Sequence, residues 1–300
     1  MENMATISII IPAKNEEKGI GKLSILKELY PKAEIIVVND GSTDRTKEIA
    51  EPWAKVINHP YSKGNGAAIK SGARAATGDV LVFMDADGQH QPEDINRLLA
   101  KIDEGYDLVV GARDSSSQAS KARLLANTIY NKLSSWMVDH KVEDLTSGFR
   151  AVRAEKFRKF LYLLPNGFSY PTTSTMAFFR AGFSVAYIPI KALKRVGDSH
   201  INYLKDGVRF LLIIFKVASL YSPLKLFAPI SFAFFGLGLV RYAYTYVSSG
   251  AFTNMSALLF VTSVLVFLIG IVSEQVCVLM YQRTDGAEMR ESNLRNSPKK

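Results

Sequence analysis

The spacing of hydrophobic and polar residues divides the chain into two regions of different character. Through roughly the first 200 residues, short β-branched runs alternate with amphipathic stretches. The predicted strands are residues 7–11, 34–38, 55–58, 80–84 and 108–110, each followed by a polar or glycine-containing turn. Such alternation is typical of βαβ units and predicts an α/β fold with a mostly parallel sheet. Ligand-binding residues are therefore expected just after the strands.

Two later stretches have helical periodicity. From Ser120 onward, apolar residues recur on one face of a long helix: Ala122, Leu125, Ala126, Ile129, Leu133, Trp136 and Met137. A second amphipathic stretch, residues 201–222, places Lys205, Arg209 and Lys216 in a narrow basic stripe opposite an apolar face. We interpret this stretch as an interfacial helix lying on anionic lipid head groups. An ordinary helix packed against the domain is the alternative.

Near the C-terminus, two apolar runs predict a transmembrane hairpin over residues 223–282. The runs cover residues 226–247 and 255–281, and each contains one charged residue, Arg241 or Glu274. Both exceed the roughly 20 residues that span a bilayer. Their connection is uncharged, whereas Lys and Arg flank the outer ends, which predicts that both termini are cytoplasmic. Two helices buried in a soluble core are the alternative. The start of the chain shows no signal-peptide pattern.

The charge of the chain favours the same organisation. The formal net charge is +9 and the mean hydropathy is +0.06. Residues 205–300 contain ten Lys and Arg against five Asp and Glu, so +5 of the surplus accompanies the apolar segments. This distribution favours an anionic membrane over a nucleic-acid partner. The single cysteine, Cys277, excludes an intramolecular disulfide, and the four histidines have no zinc-type spacing with it.

The strongest chemical signal follows the fourth predicted strand. Two carboxylates, Asp85 and Asp87, and the amide of Gln89 come directly after it. Oxygen ligands of this kind bind Mg²⁺ or Mn²⁺, which commonly bridge carboxylates to substrate phosphates. A plain turn is the alternative for this segment.

Other polar residues follow the first two predicted strands. After the second, Asp40 could accept hydrogen bonds from a base or ribose, while Thr43 or Asp44 could cap a helix that begins near Arg45. After the first, residues 12–17 suit a nucleotide or an ordinary helix N-terminus equally well. The glycine-containing segment 63–69 has Ile69 where a dinucleotide fingerprint needs a small residue, and the chain has no P-loop motif.

Together these motifs carry a family resemblance. The segments IIIPAKNEE, VVNDGSTD and DADGQ, in this order and at these spacings, resemble family 2 glycosyltransferases with the GT-A fold. DLTSGFR at residues 144–150 and RVGDS at residues 195–199 resemble the polyprenyl-phosphate branch, typified by dolichyl-phosphate mannose synthase. The resemblance covers roughly residues 5–220.

The resemblance implies roles for individual residues. It implies nucleotide binding by Pro12, Ala13, Asn15, Glu16, Asp40, Asp85 and Ala86, and metal binding by Asp85, Asp87 and Gln89. It also implies that Asp87, Arg113 and Arg195 are catalytic, with both arginines gripping phosphate groups. Arg123 and Lys205 are weaker candidates for the acceptor phosphate, because only their position on helices near the membrane points to it.

The absence of acidic residues from residues 167–176 indicates which acceptor the predicted enzyme uses. Family members that use a sugar hydroxyl usually keep an acidic pair well downstream of the metal motif, whereas residues 167–176 contain no acid. A polyprenyl phosphate is already anionic and needs cations rather than a general base. The expected function is inverting sugar transfer from a nucleotide-diphosphate sugar to a polyprenyl phosphate. A membrane-bound transferase with a hydroxyl acceptor, a sugar-phosphate nucleotidyltransferase and a non-catalytic nucleotide-sugar-binding adaptor remain alternatives.

The expected organisation has four parts. A cytoplasmic GT-A catalytic domain, with a Rossmann-like, mostly parallel sheet and flanking helices, covers residues 1–200. The interfacial helix covers 201–222, the two-span hairpin 223–282 and a cytoplasmic tail 283–300. The expected partners are the sugar donor, the lipid acceptor and the bilayer. The charges within the spans are also compatible with a homo-oligomer.

Overall fold

The computed structural model describes residues 5–113, 121–167, 169–191 and 221–295, together with Phe215 and Ser219. Side chains are described for these residues except in 121–127 and 281–295. The chain divides into two compact units, Met1–Tyr203 and Leu204–Lys300.

Seven strands in the described part of the first unit form one mixed sheet. They are β1 (Ile7–Ala13), β2 (Glu34–Asn39), β3 (Lys55–Asn58), β4 (Val80–Phe83), β5 (Leu108–Arg113), β6 (Arg150–Arg153) and β7 (Val185–Ile190). Their spatial order is β3-β2-β1-β4-β6-β5-β7. β6 runs antiparallel to β4 and β5, whereas all other neighbours are parallel. The start of β6 therefore lies at the same sheet edge as the ends of β4 and β5.

All five predicted strands are present, and the mostly parallel α/β sheet is confirmed. β1, β2 and β5 run one to three residues further than predicted, and β4 ends one residue earlier. Two strands, β6 and β7, were missing from the sequence prediction. β6 is a four-residue RAVR segment with a charge at each end, and β7 contains Pro189, so neither shows the usual β-strand pattern.

The sheet is covered on both faces. The helices of this unit are α1 (Glu17–Ile20), α2 (Leu26–Leu29), α3 (Thr46–Ala50), α4 (Asn65–Ala75), α5 (Asp94–Asp103), α6 (Lys121–Val138), α7 (Ala154–Arg158) and α8 (Tyr170–Arg180). A 3₁₀ turn, Gly21–Ile25, connects α1 to α2. On one face, strand residues such as Ile9 and Val37 pack with Ile20, Ile95 and Leu98. On the other face, Phe83 contacts Phe157 of α7 with ring centroids 4.8 Å apart.

The helix α6 confirms the predicted element, but its predicted apolar face is only partly buried. Ile129 and Trp136 are 53% and 48% exposed, whereas Tyr130, Ser134 and Met137 are buried. The buried side is fixed by packing against α8, where the hydroxyl of Tyr130 donates a hydrogen bond to Thr172 Oγ1 at 3.2 Å. Tyr130, which has a tertiary partner, is thus buried in addition to Met137, whereas Ile129 and Trp136 of the predicted apolar face are exposed.

The second unit contains two long apolar helices, α9 (Pro223–Ser249) and α10 (Asn254–Arg295). Ser231 and Ser263 donate hydrogen bonds to each other's backbone carbonyl at 2.9 Å, which joins the two helices without large side chains. Both helices are long and apolar enough to cross a membrane. Only 17% of the most apolar window of each helix is buried, whereas the core helix of a soluble protein would be mostly buried. α10 continues to Arg295, into the predicted tail.

The charged residues of the spans lie apart, as their spacing predicts. Glu274 accepts a hydrogen bond from the backbone N–H of Leu224 at 3.4 Å, at the start of α9. The Arg241 guanidinium lies 6.0 Å from the ring centroid of Tyr244, near the other end of that helix. The predicted interfacial helix falls almost entirely outside the described residues.

A glycine in α4 tests the packing of this helix on the sheet. A β-carbon at Gly72 would collide with Ile10 Cγ2 and lie 3.3 Å from Val38 Cγ2. Gly72→Ala is expected to destabilise the unit by about 1–3 kcal/mol through overpacking. A fall in Tm of about 3–10 °C, measured by thermal unfolding in detergent, corresponds to that loss.

Gly21→Ala is the matched control for this substitution. A β-carbon at Gly21 would meet only Ile49 Cγ2, at an ordinary 3.4 Å, and the φ of Gly21 is −63°. Its Tm should stay within about 2 °C of the wild type, because exposed changes are usually worth less than about 0.5 kcal/mol. An unchanged Tm for Gly72→Ala would contradict the close packing of α4.

Candidate active site

The polar segments identified in the sequence meet at one edge of the sheet. The chain runs from β1 outward to β2 and β3, and then returns to place β4 on the other side of β1. The carboxyl ends of β1 and β4 thus flank a topological switch point, the place where open α/β sheets bind ligands. The segments after β1, β2, β4 and β5 and the segment before β6 converge on this edge.

Asp85 lies just beyond β4 and is surrounded by partners that favour its ionised form. Burial raises the pKa of Asp85, but interactions with His90, Arg113 and Asn65 outweigh this effect and hold the pKa below its ordinary value. Nε2 of His90 is 3.9 Å from Asp85 Oδ2. The imidazole ring of His90 stacks on Phe149, with centroids 4.9 Å apart, which fixes its orientation.

Asp87 and Gln89 occupy the turn that follows. The backbone N–H of Gln89 donates to Asp87 Oδ1 at 3.1 Å, and Gly88 between them has a positive φ of +71°. Asp85, Asp87 and Gln89 are all partly exposed, so their oxygen atoms are accessible from the sheet edge. The structure therefore brings the three predicted metal-binding residues together within one short turn.

These three residues suit a hard divalent cation. Among the described residues, no group of three or more His, Cys, Asp and Glu side chains is placed to hold a metal by itself. Mg²⁺-type sites commonly use one or two carboxylates and complete their coordination with water and substrate phosphates. The absent side chain of Gly148 keeps space open beside Asp85, since a β-carbon there would lie 2.7 Å from Asp85 Oδ2. The donor set thus fits a metal shared with a phosphate ligand.

Arg113 closes the other side of this site through an ion pair. Its Nε and Nη2 atoms donate to the two carboxylate oxygens of Asp144 at 2.8 and 3.0 Å, and Nη2 also donates to Thr146 Oγ1 at 2.6 Å. Burial raises the pKa of Asp144, but the guanidinium and nearby backbone N–H groups hold it below its usual range. Asp144 is therefore an ionised, fully engaged partner of Arg113 and a poor proton acceptor.

Asp40, at the end of β2, is buried and accepts four hydrogen bonds from the protein. Its donors are His59 Nδ1 at 2.7 Å, Ser62 Oγ at 2.9 Å, and the backbone N–H groups of Lys63 and Gly64 at 2.8 Å. Burial raises the pKa of Asp40, and these donors more than reverse the effect. The carboxylate orders the loop 59–64 in this structure, and its predicted contact with a nucleotide stays a prediction.

The segment after β1 is tied to the segment after β2. Asn15 has a positive φ of 55°, and its side-chain oxygen accepts from the backbone N–H of Thr43 at 2.8 Å. The backbone N–H of Glu16 donates to Thr46 Oγ1 at 2.8 Å. Asp44 accepts from the backbone N–H of Thr46, the first residue of α3, at 3.0 Å. The N-cap of α3 is Arg45 and makes no side-chain capping bond, so Asp44 stabilises the helix start from one residue before the N-cap. Asn15 is exposed at the sheet edge, beside the switch point.

The remaining predicted site residues divide into two groups. Pro12 and Ala13 lie within the end of β1, and Ala86 is buried between Asp85 and Asp87, the two carboxylates predicted to bind metal. Arg195 and Lys205 lie outside the described residues, and Arg123 lies in α6 where side chains are not described. Their predicted contacts with the acceptor phosphate stay predictions.

Several residues of this site had no role in the sequence prediction. His90 and Asn65 contact Asp85, Asp144 holds Arg113, and Gly148 borders Asp85. The DLTSGFR segment was identified as a motif, but its contribution was hidden because β6 was not predicted. The segment before an antiparallel strand reaches the edge where the parallel strands end, and only the topology reveals this.

Comparison with known proteins places both units. Residues 8–161 match the family model Glycosyl transferase family 2, and residues 222–279 match the model GtrB C-terminal hairpin. Glycosyltransferase AglJ of Haloferax volcanii is 26% identical over 91% of this chain and 94% of its own length. Polyprenol monophosphomannose synthase of Mycolicibacterium smegmatis is 32% identical over 70% of this chain and 84% of its own length.

Solved structures show the same fold for the first unit. Glucosyl-3-phosphoglycerate synthase from Mycobacterium tuberculosis, in complex with Mn²⁺, UDP-glucose and phosphoglyceric acid, aligns with a TM-score of 0.59. The alignment covers 72% of this chain and 79% of that chain at 23% identity.

The contact between Gly148 and Asp85 predicts a sensitive position. In Gly148→Ala, the added methyl group must displace the Asp85 carboxylate, because it would lie 2.7 Å from Oδ2 and 3.3 Å from Cγ. We expect Mn²⁺ affinity, measured by electron paramagnetic resonance of the free ion, to fall by about 10-fold or more. Ser147→Ala is the control, since its hydroxyl is buried without a hydrogen-bond partner and its loss adds no atom near Asp85. Equal Mn²⁺ affinities in the two variants would contradict the proposed orientation of Asp85.

Proposed function

Since the chain belongs to glycosyl transferase family 2, we propose that it transfers a sugar from a nucleotide-diphosphate sugar to a polyprenyl phosphate, with inversion at the anomeric carbon. The observation that carries the proposal is the composition of the candidate site. Two carboxylates suited to a metal and diphosphate lie at the switch point, and the neighbouring carboxylates of Asp40 and Asp144 are engaged by protein donors.

The donor half rests on Asp85, Asp87 and Gln89. A Mg²⁺ or Mn²⁺ ion held by these residues would neutralise charge on the departing diphosphate. The exposed segment around Asn15 follows the end of β1, the strand that pairs with β4, so it lies at the same sheet edge as the carboxylate turn. We assign nucleotide contacts to this segment, together with Asp85 and Ala86.

The assignment of the acceptor rests on the state of the residues that could act as a general base in the described part of the site. A sugar hydroxyl must lose a proton as it attacks, which calls for a carboxylate or imidazole with free capacity. Asp144 is ion-paired, and Asp40 accepts four protein hydrogen bonds. Asp85 and Asp87 are assigned to the metal, and the imidazole of His90 is buried, 8% exposed, and stacked on Phe149. A phosphate monoester, with a second pKa of about 6, is an anion at neutral pH and requires no base.

The helix α8 supports the same conclusion. It corresponds to the stretch where a hydroxyl acceptor would call for an acid, and residues 170–178 are all buried. Its side chains Ser174 and Thr175 present hydroxyls, not carboxylates, to Arg150. The described polar surface of this helix therefore offers no proton acceptor of the required strength.

Phosphate recognition is assigned to cations. Arg113 presents a guanidinium at the end of β5, with 29% of its side chain exposed on the same side as the carboxylate turn. Its Nε and Nη2 atoms already donate to Asp144 and Thr146, so we assign the phosphate contact to the rest of the guanidinium. We further assign Arg195, and more weakly Arg123 and Lys205, to the acceptor phosphate on the basis of sequence alone.

The second unit explains how a lipid acceptor is reached. Its two apolar helices match the GtrB C-terminal hairpin, and several relatives are named as transferases acting on lipid phosphates, including the dolichyl-phosphate hexose transferase of Haloferax volcanii. We propose that the hairpin spans the bilayer with both termini in the cytoplasm, where nucleotide sugars are made. A homo-oligomer, with which the charges of Arg241 and Glu274 within the spans are compatible, is part of this proposal.

The reaction is a single displacement. An oxygen of the lipid phosphate attacks the anomeric carbon, the bond from that carbon to the nucleoside diphosphate breaks, and the diphosphate leaves with the electron pair. Arg113 orients a phosphate group at the site, and the residues of the carboxylate turn would hold a divalent cation that neutralises the leaving group. Proton transfer is not required, which agrees with the engaged state of the described carboxylates.

The decisive test is turnover with defined acceptors. Purified full-length protein is incubated with Mn²⁺ or Mg²⁺, a panel of nucleotide sugars, and either a polyprenyl phosphate or the corresponding polyprenol. Mass spectrometry should show a glycosylated lipid with the phosphate acceptor only. Product with the polyprenol or with a sugar acceptor would favour the hydroxyl-acceptor alternative, and nucleotide binding without product would favour a non-catalytic adaptor.

Asp87→Ala tests the donor assignment. We expect kcat to fall by about 100-fold or more, because even residues behind a metal ligand contribute 10- to 100-fold. Membrane insertion and Tm should be retained, since Asp87 lies in an exposed turn. Asp103→Ala, which removes an exposed carboxylate at the end of α5, is the matched control and should keep wild-type turnover. Full activity of Asp87→Ala would contradict the assignment.

A further inference from the structure

Arg150, the first residue of β6, is fully buried beneath the candidate site. Its Nη1 atom donates to the backbone carbonyl of Pro171 at 2.9 Å, to Ser174 Oγ at 2.8 Å and to Thr175 Oγ1 at 3.1 Å. Its Nη2 atom donates to the backbone carbonyl of Ser147. One guanidinium therefore joins the start of α8 to the segment that precedes β6.

The charge of this guanidinium has no paired carboxylate within the described chain. All its acceptors are neutral, and its Nε atom is buried without a hydrogen-bond partner. Burying a charge without an opposite charge is costly, and an apolar side chain of the same size is often at least as stable. Fold stability alone does not account for an arginine here.

The contacts of Arg150 lead directly to Asp85. The Tyr170 ring lies against the guanidinium, with its centroid 5.8 Å from Cζ, and its hydroxyl donates to the carbonyl of Gly148 at 3.1 Å. Burial raises the pKa of Tyr170, so this hydroxyl keeps its proton and remains a donor. Two consecutive carbonyls, those of Ser147 and Gly148, are thus held from below, and the Gly148 backbone borders Asp85.

The positive charge of Arg150 also acts electrostatically on the carboxylates of the candidate site. Asp144 and Asp85 both interact favourably with the guanidinium without touching it. Inside a protein the effective dielectric constant is low, so a buried charge acts more strongly on its neighbours than an exposed one. A diphosphate at the carboxylate turn would add further negative charge to this region.

We propose that Arg150 is a positioning residue of the donor site: it fixes the Ser147–Gly148 backbone against Asp85, and its unpaired charge offsets that of the bound diphosphate. The inference rests on the proposed function, because it needs an anionic donor at Asp85 and Asp87. It assigns a role to the arginine of the DLTSGFR segment, which acts through the backbone and does not touch the reacting atoms.

Arg150→Met and Arg150→Lys test the proposal, with Arg158→Met as the matched control. Arg158 also donates to two backbone carbonyls, those of Ala73 and Ala76 at 3.0 and 2.7 Å. These carbonyls lie at the far end of α4, an 11-residue helix whose first residue, Asn65, contacts Asp85. At 1.5 Å per residue, the control site is about 15 Å from the candidate site.

The readouts are Tm, the Mn²⁺-dependent affinity for UDP and GDP by calorimetry, and kcat and KM for turnover. Arg150→Met should lose about 10- to 100-fold in nucleotide affinity and kcat while remaining folded. Arg150→Lys keeps the charge and should recover part of this loss. Arg158→Met should lower Tm and leave affinity and kcat within twofold of the wild type.

Three results would overturn the proposal. They are wild-type nucleotide affinity in folded Arg150→Met, a loss of activity that only follows the folded fraction, and an equal loss in Arg158→Met. If Arg150→Met does not fold, the double variant Ser174→Ala with Thr175→Val decides. It removes two acceptors of Nη1 and should weaken nucleotide binding about 5- to 10-fold, the value of one or two hydrogen bonds; unchanged binding overturns the proposal.

The same measurements separate this inference from the proposed function. Wild-type protein that bound neither nucleotide would overturn both. Wild-type protein that bound a nucleotide but made no glycosylated lipid would overturn the acceptor assignment, and the ratio of Arg150→Met to Arg158→Met affinities would still decide the role of Arg150.

Discussion

The antiparallel pairing of β6 between β4 and β5 is the constraint on which the site depends. In a wholly parallel sheet, the segment before β6 would lie at the opposite edge, away from the ligand side. Reversal of this one strand brings Gly148 against Asp85 and Asp144 against Arg113. One turn after β4 and one segment before β6 thereby form a single site from residues more than fifty positions apart.

The charged residues of this site lie at different depths, from the open edge of the sheet to the interior. The carboxylates Asp85 and Asp87 face the open edge, Arg113 and Asp144 neutralise each other beside them, and Arg150 is buried underneath with neutral acceptors. Burial opposes ionisation of Asp85 and Asp144, and specific partners overcome it in each case. The arrangement keeps Asp85 ionised and leaves the carboxylates of Asp40 and Asp144 engaged by protein donors, which makes them poor proton acceptors. A phosphate acceptor, unlike a hydroxyl, tolerates that arrangement.

The sequence predicted features that depend on local pattern. The five strands with β-branched runs, the carboxylate turn and the two apolar C-terminal helices could each be predicted from a few neighbouring residues. Features that depend on tertiary pairing could not. β6 and β7 lack a typical strand pattern, and the buried face of α6 is chosen by Tyr130 and its contact with α8. The tight engagement of Asp40 with loop 59–64 likewise follows from contacts across about twenty residues.

A structure of the full chain with Mn²⁺ and a nucleoside diphosphate is the most direct test of how this site works. Anomalous scattering from Mn²⁺ should place the ion at the carboxyl ends of β1 and β4. Oxygens of Asp85, Asp87 and the diphosphate should then lie within about 2.0–2.6 Å, the range for hard divalent ions. Gly148 should keep its position beside Asp85, with Arg150 still buried beneath it. An ion or diphosphate bound elsewhere, or one that did not contact Asp85 or Asp87, would contradict the assignment of this edge as the donor site.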